Sequence, residues 1–465
     1  MSLNRRGFLK GAGQLVGTRS ALGMLGSALS SFELMAAQDQ DYKAIVCVYL
    51  LGGMDNYDTL LPYDKASYKE YVKLRPSLMS RYGNDRARGK LLPLKPDDDR
   101  AHGHRAFALP PEMPHLSRLF NQGNGAVIAN VGPLLAPTHA RAFEDESVAL
   151  PQRLFSHNDQ QAAWLMGSAN QTRQGWGGMF ADTFIGPQAN ALMNTNPEFS
   201  VITTGGFDAF LTGNKATPFQ VNPEGPQDIY ALEAMDDNPQ LRQILTQHLS
   251  ASYPELEHLA EQDMANSFNQ SHASNKAYKQ AIKRFDNIKT LFEEGDLSAQ
   301  LKVVAQTIAA RDQLGVKRQV FVVGIDGFDT HSDQANELPQ LQAELDLGIA
   351  NFYASLGTMG LTQNVTLFTA SEFGRTLSVN EDGTDHGWGG HQFVVGGAVK
   401  GKRIYGQIPE IAYGHDLDAG NGRLIPTLSI EQMAEPIGRW FGLDDTALAK
   451  ALPSLNRFEK RLTFI

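Results

Sequence analysis

The chain has 465 residues, 42% hydrophobic and 20% charged, which supplies ample material for a large core and is unlike a disordered chain. A formal net charge of −10 argues against a nucleic-acid backbone as partner. The one cysteine, Cys47, excludes an internal disulfide and a zinc–cysteine site.

At the start of the chain, Asn4-Arg5-Arg6-Gly7-Phe8-Leu9-Lys10 matches the twin-arginine export consensus, with Asn4 where Ser or Thr is commoner. Gly11 to Ser30 is only mildly apolar and contains Arg19, which suits that route and is poor for a spanning helix. Residues 1–37 are therefore expected to be a signal read by the twin-arginine translocation machinery, placing the folded chain in the periplasm or otherwise outside the cytoplasm. Cleavage near Ala36-Ala37 is one outcome, and an uncleaved signal tethering the protein to the membrane is the other. Four basic residues (Arg5, Arg6, Lys10, Arg19) and one acid (Glu33) leave with the segment, so the net charge becomes −13.

Residues 38–465 read as one α/β domain. Lys43–Leu51, with Cys47 as a buried thiol inside it, predicts a strand buried on both faces, because it is a continuous apolar run rich in β-branched residues. Ala126–Val131, Gln319–Ile325, Asn364–Ala370 and Gln392–Val395 predict four more, and helical patterns between several of them predict a mostly parallel central sheet flanked by helices. Asn194–Gly225, rich in Gly, Asn, Thr and Pro, reads as loops or a small irregular sheet, and Leu232 to Gln313 as helical with no strand. Together they predict a loop-rich and helical insertion over about 194–313.

Parallel sheets bind ligands beyond the carboxyl ends of their strands, and the polar clusters of this chain fall there. Asp55 in Gly52-Gly53-Met54-Asp55-Asn56 follows the first strand, either as an Asx-turn cap or as a ligand-facing carboxylate. Asp326, Asp329 and His331 follow the third, where carboxylate and imidazole can face one cation. Ser371-Glu372-Phe373-Gly374-Arg375-Thr376 follows the fourth; Glu372 and Arg375 are either a salt bridge or a metal ligand beside an anion-binding guanidinium. Asp385-His386-Gly387-Trp388-Gly389-Gly390-His391 adds two histidines in a glycine-rich loop.

Taken with Tyr63 and Arg75-Pro76, these motifs resemble the exported bacterial family called domain of unknown function 1501, across nearly all of residues 43–460. That family is grouped with the alkaline-phosphatase-like superfamily, which includes sulfatases and cofactor-independent phosphoglycerate mutases. The resemblance implies an alkaline-phosphatase-like three-layer sandwich. Met113–Gly123 is similar to the helix before the second strand of sulfatases, and Ile425–Leu428 leading into Met433–Phe441 to their C-terminal helix. Ala162-Ala163-Trp164-Leu165-Met166-Gly167 is similar to the segment that ends ten residues after the superfamily nucleophile, a count that lands on His157, next to Ser156.

An imidazole there departs from the usual hydroxyl nucleophile. His157 attacks through nitrogen, Ser156 replaces it, or His157 is a metal ligand or acid/base group. The resemblance also implies metal ligands at Asp55, Asp329, His331, Glu372 and His386, with Phe373 standing where a ligating histidine is usual, so one intact divalent site is expected. Zinc, manganese, magnesium and calcium are all chemically permissible. Two functions follow as expectations. One is a metal-dependent hydrolase or transferase of a phosphate or sulfate ester, with Arg375 holding the anion of a small-molecule or polymer substrate. The other is a non-catalytic binding or assembly protein, with another exported protein as partner.

Overall fold

Apolar β-branched runs become the central strands of the computed structural model, which describes residues 41–98, 102–168, 173–187, 192–225, 235, 237–250, 259–459 and 461–465. The expected signal over 1–37 lies outside the described residues. In chain order the strands that build or cover the site are β1 (Lys43–Leu50), β2 (Gly125–Gly132), β3 (Val201–Thr203), β4 (Phe219–Gln220), β5 (Arg318–Ile325), β6 (Val365–Ala370), β7 (Arg375–Asn380), β8 (Gly383–His386), β9 (Gly390–Val395), β10 (Ile404–Gly406) and β11 (Leu428–Ser429). All but β7 and β8 form one nine-stranded sheet, ordered β10-β2-β9-β6-β1-β5-β3-β4, with β11 also on β2.

The sheet is mixed and mostly parallel. At its centre β1 pairs in parallel with β5 and β6, so that Cys47 stands opposite Val322 on one side and Phe368 on the other. Only β9 runs against its neighbours β2 and β6. Among the helices about this sheet are α1 (His157–Met166), α2 (Asp296–Ala309), α3 (Gln334–Met359) and α4 (Ile430–Phe441). On one face Ile45, Cys47, Tyr49, Val320 and Phe368 pack against Trp164 of α1 and Met433 and Ile437 of α4. α2 packs on β5, and α3 packs on α2. Because helices cover both faces, every central strand reads as an unbroken apolar run without a polar side. This is the three-layer sandwich that the motifs imply, and burial pushes the Cys47 thiol up, as for an inert structural cysteine.

The expected insertion over about 194–313 is corrected in part. β3 and β4 are parallel strands of the main sheet, with Ile202 opposite Phe321 of β5 and Phe219 of β4. They escape sequence detection because strands of two or three residues are too short to show a period. Within 232–313 the described residues include helices at Pro239–Ser250, Leu259–Ile282 and Asp296–Ala309, and the last of these, α2, is part of the sandwich, its Leu297, Leu301 and Ile308 fully buried.

His391, on β9, is a second structural group that sequence placed near the chemistry. It is buried, and its Nδ1 accepts the Asn130 backbone N–H at 2.9 Å, which requires a neutral ring. Burial pushes its pKa down to about 4. The unfolded chain protonates this imidazole near pH ~6.5, so its share of stability is complete above that pH and is lost as pH falls toward 4. That share is about 3 kcal/mol at ~1.4 kcal/mol per unit of pKa. In urea unfolding at pH 7 and pH 4, wild type is expected to lose about 3 kcal/mol more than His391→Gln. Equal losses would refute the assignment.

Candidate metal centre

Four chain segments meet at the carboxyl end of the parallel strands. α1 contributes His157 from its first turn, where Ser156 caps the helix and its hydroxyl donates to Asp159 Oδ2 at 2.8 Å. The turn after β5 contributes Asp329 and His331, the turn after β6 contributes Glu372, and the β7–β8 hairpin contributes Arg375, Asp385 and His386. Close approach of β1 to this region depends on Gly52. It has φ +109°, and a Cβ there would lie 2.2 Å from the Asp329 backbone nitrogen.

His157, Asp329 and His386 offer ligand atoms all within 4.8 Å of one another, a grouping able to hold a metal ion. His386 Nε2 is 3.1 Å from His157 Nε2, 2.8 Å from His331 Nε2 and 3.1 Å from Asp329 Oδ1. Asp329 Oδ1 is also 3.1 Å from His331 Nε2, and its Oδ2 is 3.5 Å from His157 Nε2. His331, Asp329 and His157 are each more than a third exposed, so the cluster opens to solvent.

The opposite nitrogen of every ring is committed. His157 Nδ1 is 2.9 Å from Glu372 Oε1, His331 Nδ1 is 3.2 Å from Asp385 Oδ1, and His386 Nδ1 is 2.8 Å from the Phe155 carbonyl. These oxygens accept, so each Nδ1 carries the hydrogen and each neutral ring turns the lone pair of Nε2 inward. The lone pairs of His157 and His331 then both face that of His386, beside the Asp329 carboxylate. Only a cation, or protons taken up by the rings, reconciles that arrangement. Phe155 reaches its position with φ +71°, an unfavourable backbone for a bulky residue, and this strain sits at the group that orients His386.

Electrostatics pull the rings apart. The Glu372 hydrogen bond holds His157 above the usual imidazole range. Burial, helped by the charges of His157 and Arg375, holds His386 below it. Burial alone would raise Asp329, but the Arg375 hydrogen bond and charge, with His331 and His157, bring its carboxyl below the usual range. Phe373 forms the apolar wall, its ring 4.9 Å from that of His157 and stacked on His386 at 4.6 Å.

Several sequence expectations find a different place. Asp55 is the cap of a helical turn and not a member of the cluster: it accepts from the N–H groups of Tyr57 and Asp58, from Gln334 at 2.7 Å, and from a two-pronged Arg75 at 2.7 and 3.3 Å. Five donors leave that buried carboxylate no direction for a metal. Glu372 stands behind His157 and also accepts the Gly52 N–H at 2.8 Å, so it supports a ligand candidate. Ser156 is bound to Asp159, with no contact to the cluster among the described hydrogen bonds. Arg375 is fully buried and pairs with Asp329 at 2.6 Å, while its other donors go to the Gly52 carbonyl and to the hydroxyl and carbonyl of Thr384. Sequence reasoning missed Asp58 and Gln334, whose partners are remote in the chain, and the Phe155 carbonyl, which no side-chain pattern can reveal.

Residues 42–452 match the family described as Protein of unknown function (DUF1501), in agreement with the motifs. No curated protein matches the chain. Among solved structures, the C-terminal periplasmic domain of EcEptC from Escherichia coli, in complex with zinc, is 10% identical over 90% of this chain and 88% of that one, at a TM-score of 0.35. The PsFucS1 sulfatase from Pseudoalteromonas sp. is 10% identical over 92% and 72%, also at 0.35. The alkaline phosphatase PafA mutant is 13% identical over 72% and 63%, at 0.26. Scores at this level carry nothing about ligand or reaction, which have to be argued from the site.

Proposed function

Since the chain belongs to the DUF1501 family, whose description names no reaction, we propose from its site that it is a single-cation hydrolase or transferase acting on a phosphate or sulfate ester. The observation that carries the cation is the group of His157, Asp329 and His386, with His331 beside it, each imidazole having Nδ1 held by an oxygen and Nε2 near Asp329. The ester class rests on the resemblance of the motifs.

The donors fit a small divalent ion. Among His157, Asp329 and His386 the separations of 3.1 to 3.5 Å bracket the ~3.3 Å edge of a tetrahedron with ~2.0–2.1 Å metal–ligand bonds, and His331 Nε2 stands beside them, 2.8 Å from His386 Nε2. Imidazoles beside one carboxylate suit zinc first and manganese next, whereas calcium and magnesium favour oxygen donors. His157, Asp329 and His386 would hold the ion, with His331 beside them, and the ion would supply Lewis acidity toward the ester oxygens and toward water at neutral pH.

The remaining chemistry belongs to the chain. Glu372 fixes the tautomer of His157, Asp385 that of His331, and the Phe155 carbonyl that of His386. Arg375 keeps Asp329 ionised. Ser156 is bound to Asp159, which favours water as the attacking group. The same observation favours a second reading, a non-catalytic cation-binding protein. The Asn4–Lys10 motif supports export of the folded chain, and no helix among the described residues is long and apolar enough to cross a membrane.

Elemental analysis of the purified protein is expected to find about one equivalent of zinc or manganese, removed by chelation. Turnover of a panel of phosphate and sulfate monoesters is expected to disappear with the metal and return on its restoration. Stoichiometric metal without turnover supports the binding reading; absence of any transition metal, with none taken up on titration, removes both.

A further inference from the structure

Arg375 leaves a vacancy in the chemistry. A phosphate or sulfate ester needs a cationic donor for the oxygens that the metal does not contact, and every nitrogen of the Arg375 guanidinium is already bonded inside the protein. Its side chain is also fully buried. We propose that Arg423, which no motif singled out, binds the anionic group of the substrate beside the cluster; this rests on the reading of the site as an ester-binding cation centre.

Arg423 is braced directly against a candidate ligand. Its Nε donates to the His386 carbonyl at 2.9 Å. Its guanidinium lies over the Phe155 ring, 4.9 Å from the centroid, and the Phe155 carbonyl receives His386 Nδ1. Arg423 therefore grips His386 through its backbone and stacks on the residue that orients its ring. It is half-buried, and Nη1 makes only a long 3.3 Å bond to the Gly420 carbonyl. Nη2 has no acceptor, and no carboxylate pairs with Arg423, among the described residues.

The loop that carries it is built to hold still. Asp418 accepts the N–H groups of Gly420 and Gly422 through Oδ1 and that of Gly414 through Oδ2. The Arg423 N–H donates to the Gly420 carbonyl, and its own carbonyl accepts from Ala419. A guanidinium fixed on one edge by a backbone bond and on its face by an aromatic ring keeps its other edge for a planar pair of oxyanion oxygens, and loses little entropy on binding them. Phosphate and sulfate share this tetrahedral oxyanion chemistry.

Titration calorimetry on the full chain tests the assignment with three probes: zinc alone, inorganic phosphate and inorganic sulfate, the anions being added to both zinc-free and zinc-loaded protein. Arg423→Gln and Arg423→Ala are expected to bind zinc as wild type does. They are expected to bind the preferred anion about 10- to 100-fold more weakly, the range supplied by one hydrogen bond to a charged group. Unchanged anion affinity overturns the proposal, as does failure of wild type to bind either anion. So does loss of zinc affinity with anion binding intact, which would make Arg423 a brace for His386 only. Failure of wild type to bind zinc overturns the cation centre instead, and the anion titrations on zinc-free wild type and variants still decide Arg423.

Discussion

His386→Ala is expected to abolish stoichiometric zinc binding while leaving the metal-free protein as stable as wild type, or more so. His386 Nε2 is the donor closest to all the others, at 2.8 Å from His331 Nε2 and 3.1 Å from both His157 Nε2 and Asp329 Oδ1. Removing the ring takes away a ligand, and it also removes one of three converging lone pairs, which is why the metal-free state does not suffer. In wild type, zinc at 100-fold over its Kd would add about 2.7 kcal/mol to folding stability, and His386→Ala would gain almost none of it. Glu372→Gln acts differently, because an amide oxygen still accepts from His157 Nδ1 but its charge is gone; zinc affinity is expected to fall about 10- to 100-fold. Zinc titration with thermal melts on the three proteins separates these outcomes. If His386→Ala keeps one tight equivalent of zinc, the site is misassigned.

Arg75→Met is expected to be the most destabilising single change outside the site, by about 3–5 kcal/mol, because it strands two buried carboxylates. Arg75 pairs with Asp55 at 2.7 Å and Asp58 at 3.3 Å, all three side chains fully buried. Burial opposes its charge, but Asp55 and Asp58 more than compensate and hold the guanidinium above its ordinary range. The same group donates to the carbonyls of Thr376 and Leu377, tying this network to β7. Tyr71 and Tyr82 both donate to Asp58. Adding Asp55→Asn and Asp58→Asn to Arg75→Met is expected to recover part of the loss, since the cost lies in unpaired charge more than in lost packing. Urea unfolding measures both, and a loss under about 1 kcal/mol for Arg75→Met would refute the account.

The central strands were legible because burial on both faces leaves an apolar run that no helix period disturbs. β3 and β4 were not, because a pairing of two or three residues is decided by the neighbouring strand. Within the site, Asp385 and His386 were singled out by a glycine-rich motif and a family resemblance, whereas the residues after β5 and β6 were read from strand ends. Asp55 shows the limit of that reasoning. A carboxylate after a strand looks the same in sequence whether it faces a cation or an arginine, and Arg75, which decides the matter, lies twenty residues on in another element. His157 was reached by spacing, but the partner of its Nδ1, Glu372, stands 215 residues away, and no local pattern could reveal it.

The reversed strand β9 has a topological effect on how such a site can change. A parallel successor to β6 would need a crossover returning the chain to the opposite end of the sheet. Because β9 runs back from the rim where β6 ends, the segment from Ser371 to Gly389 leaves and re-enters the sheet at one rim. It carries Glu372, Arg375, Asp385 and His386 as a self-contained cassette. Its length and contents can vary, and with them the ligand set, without rethreading a single strand of the scaffold.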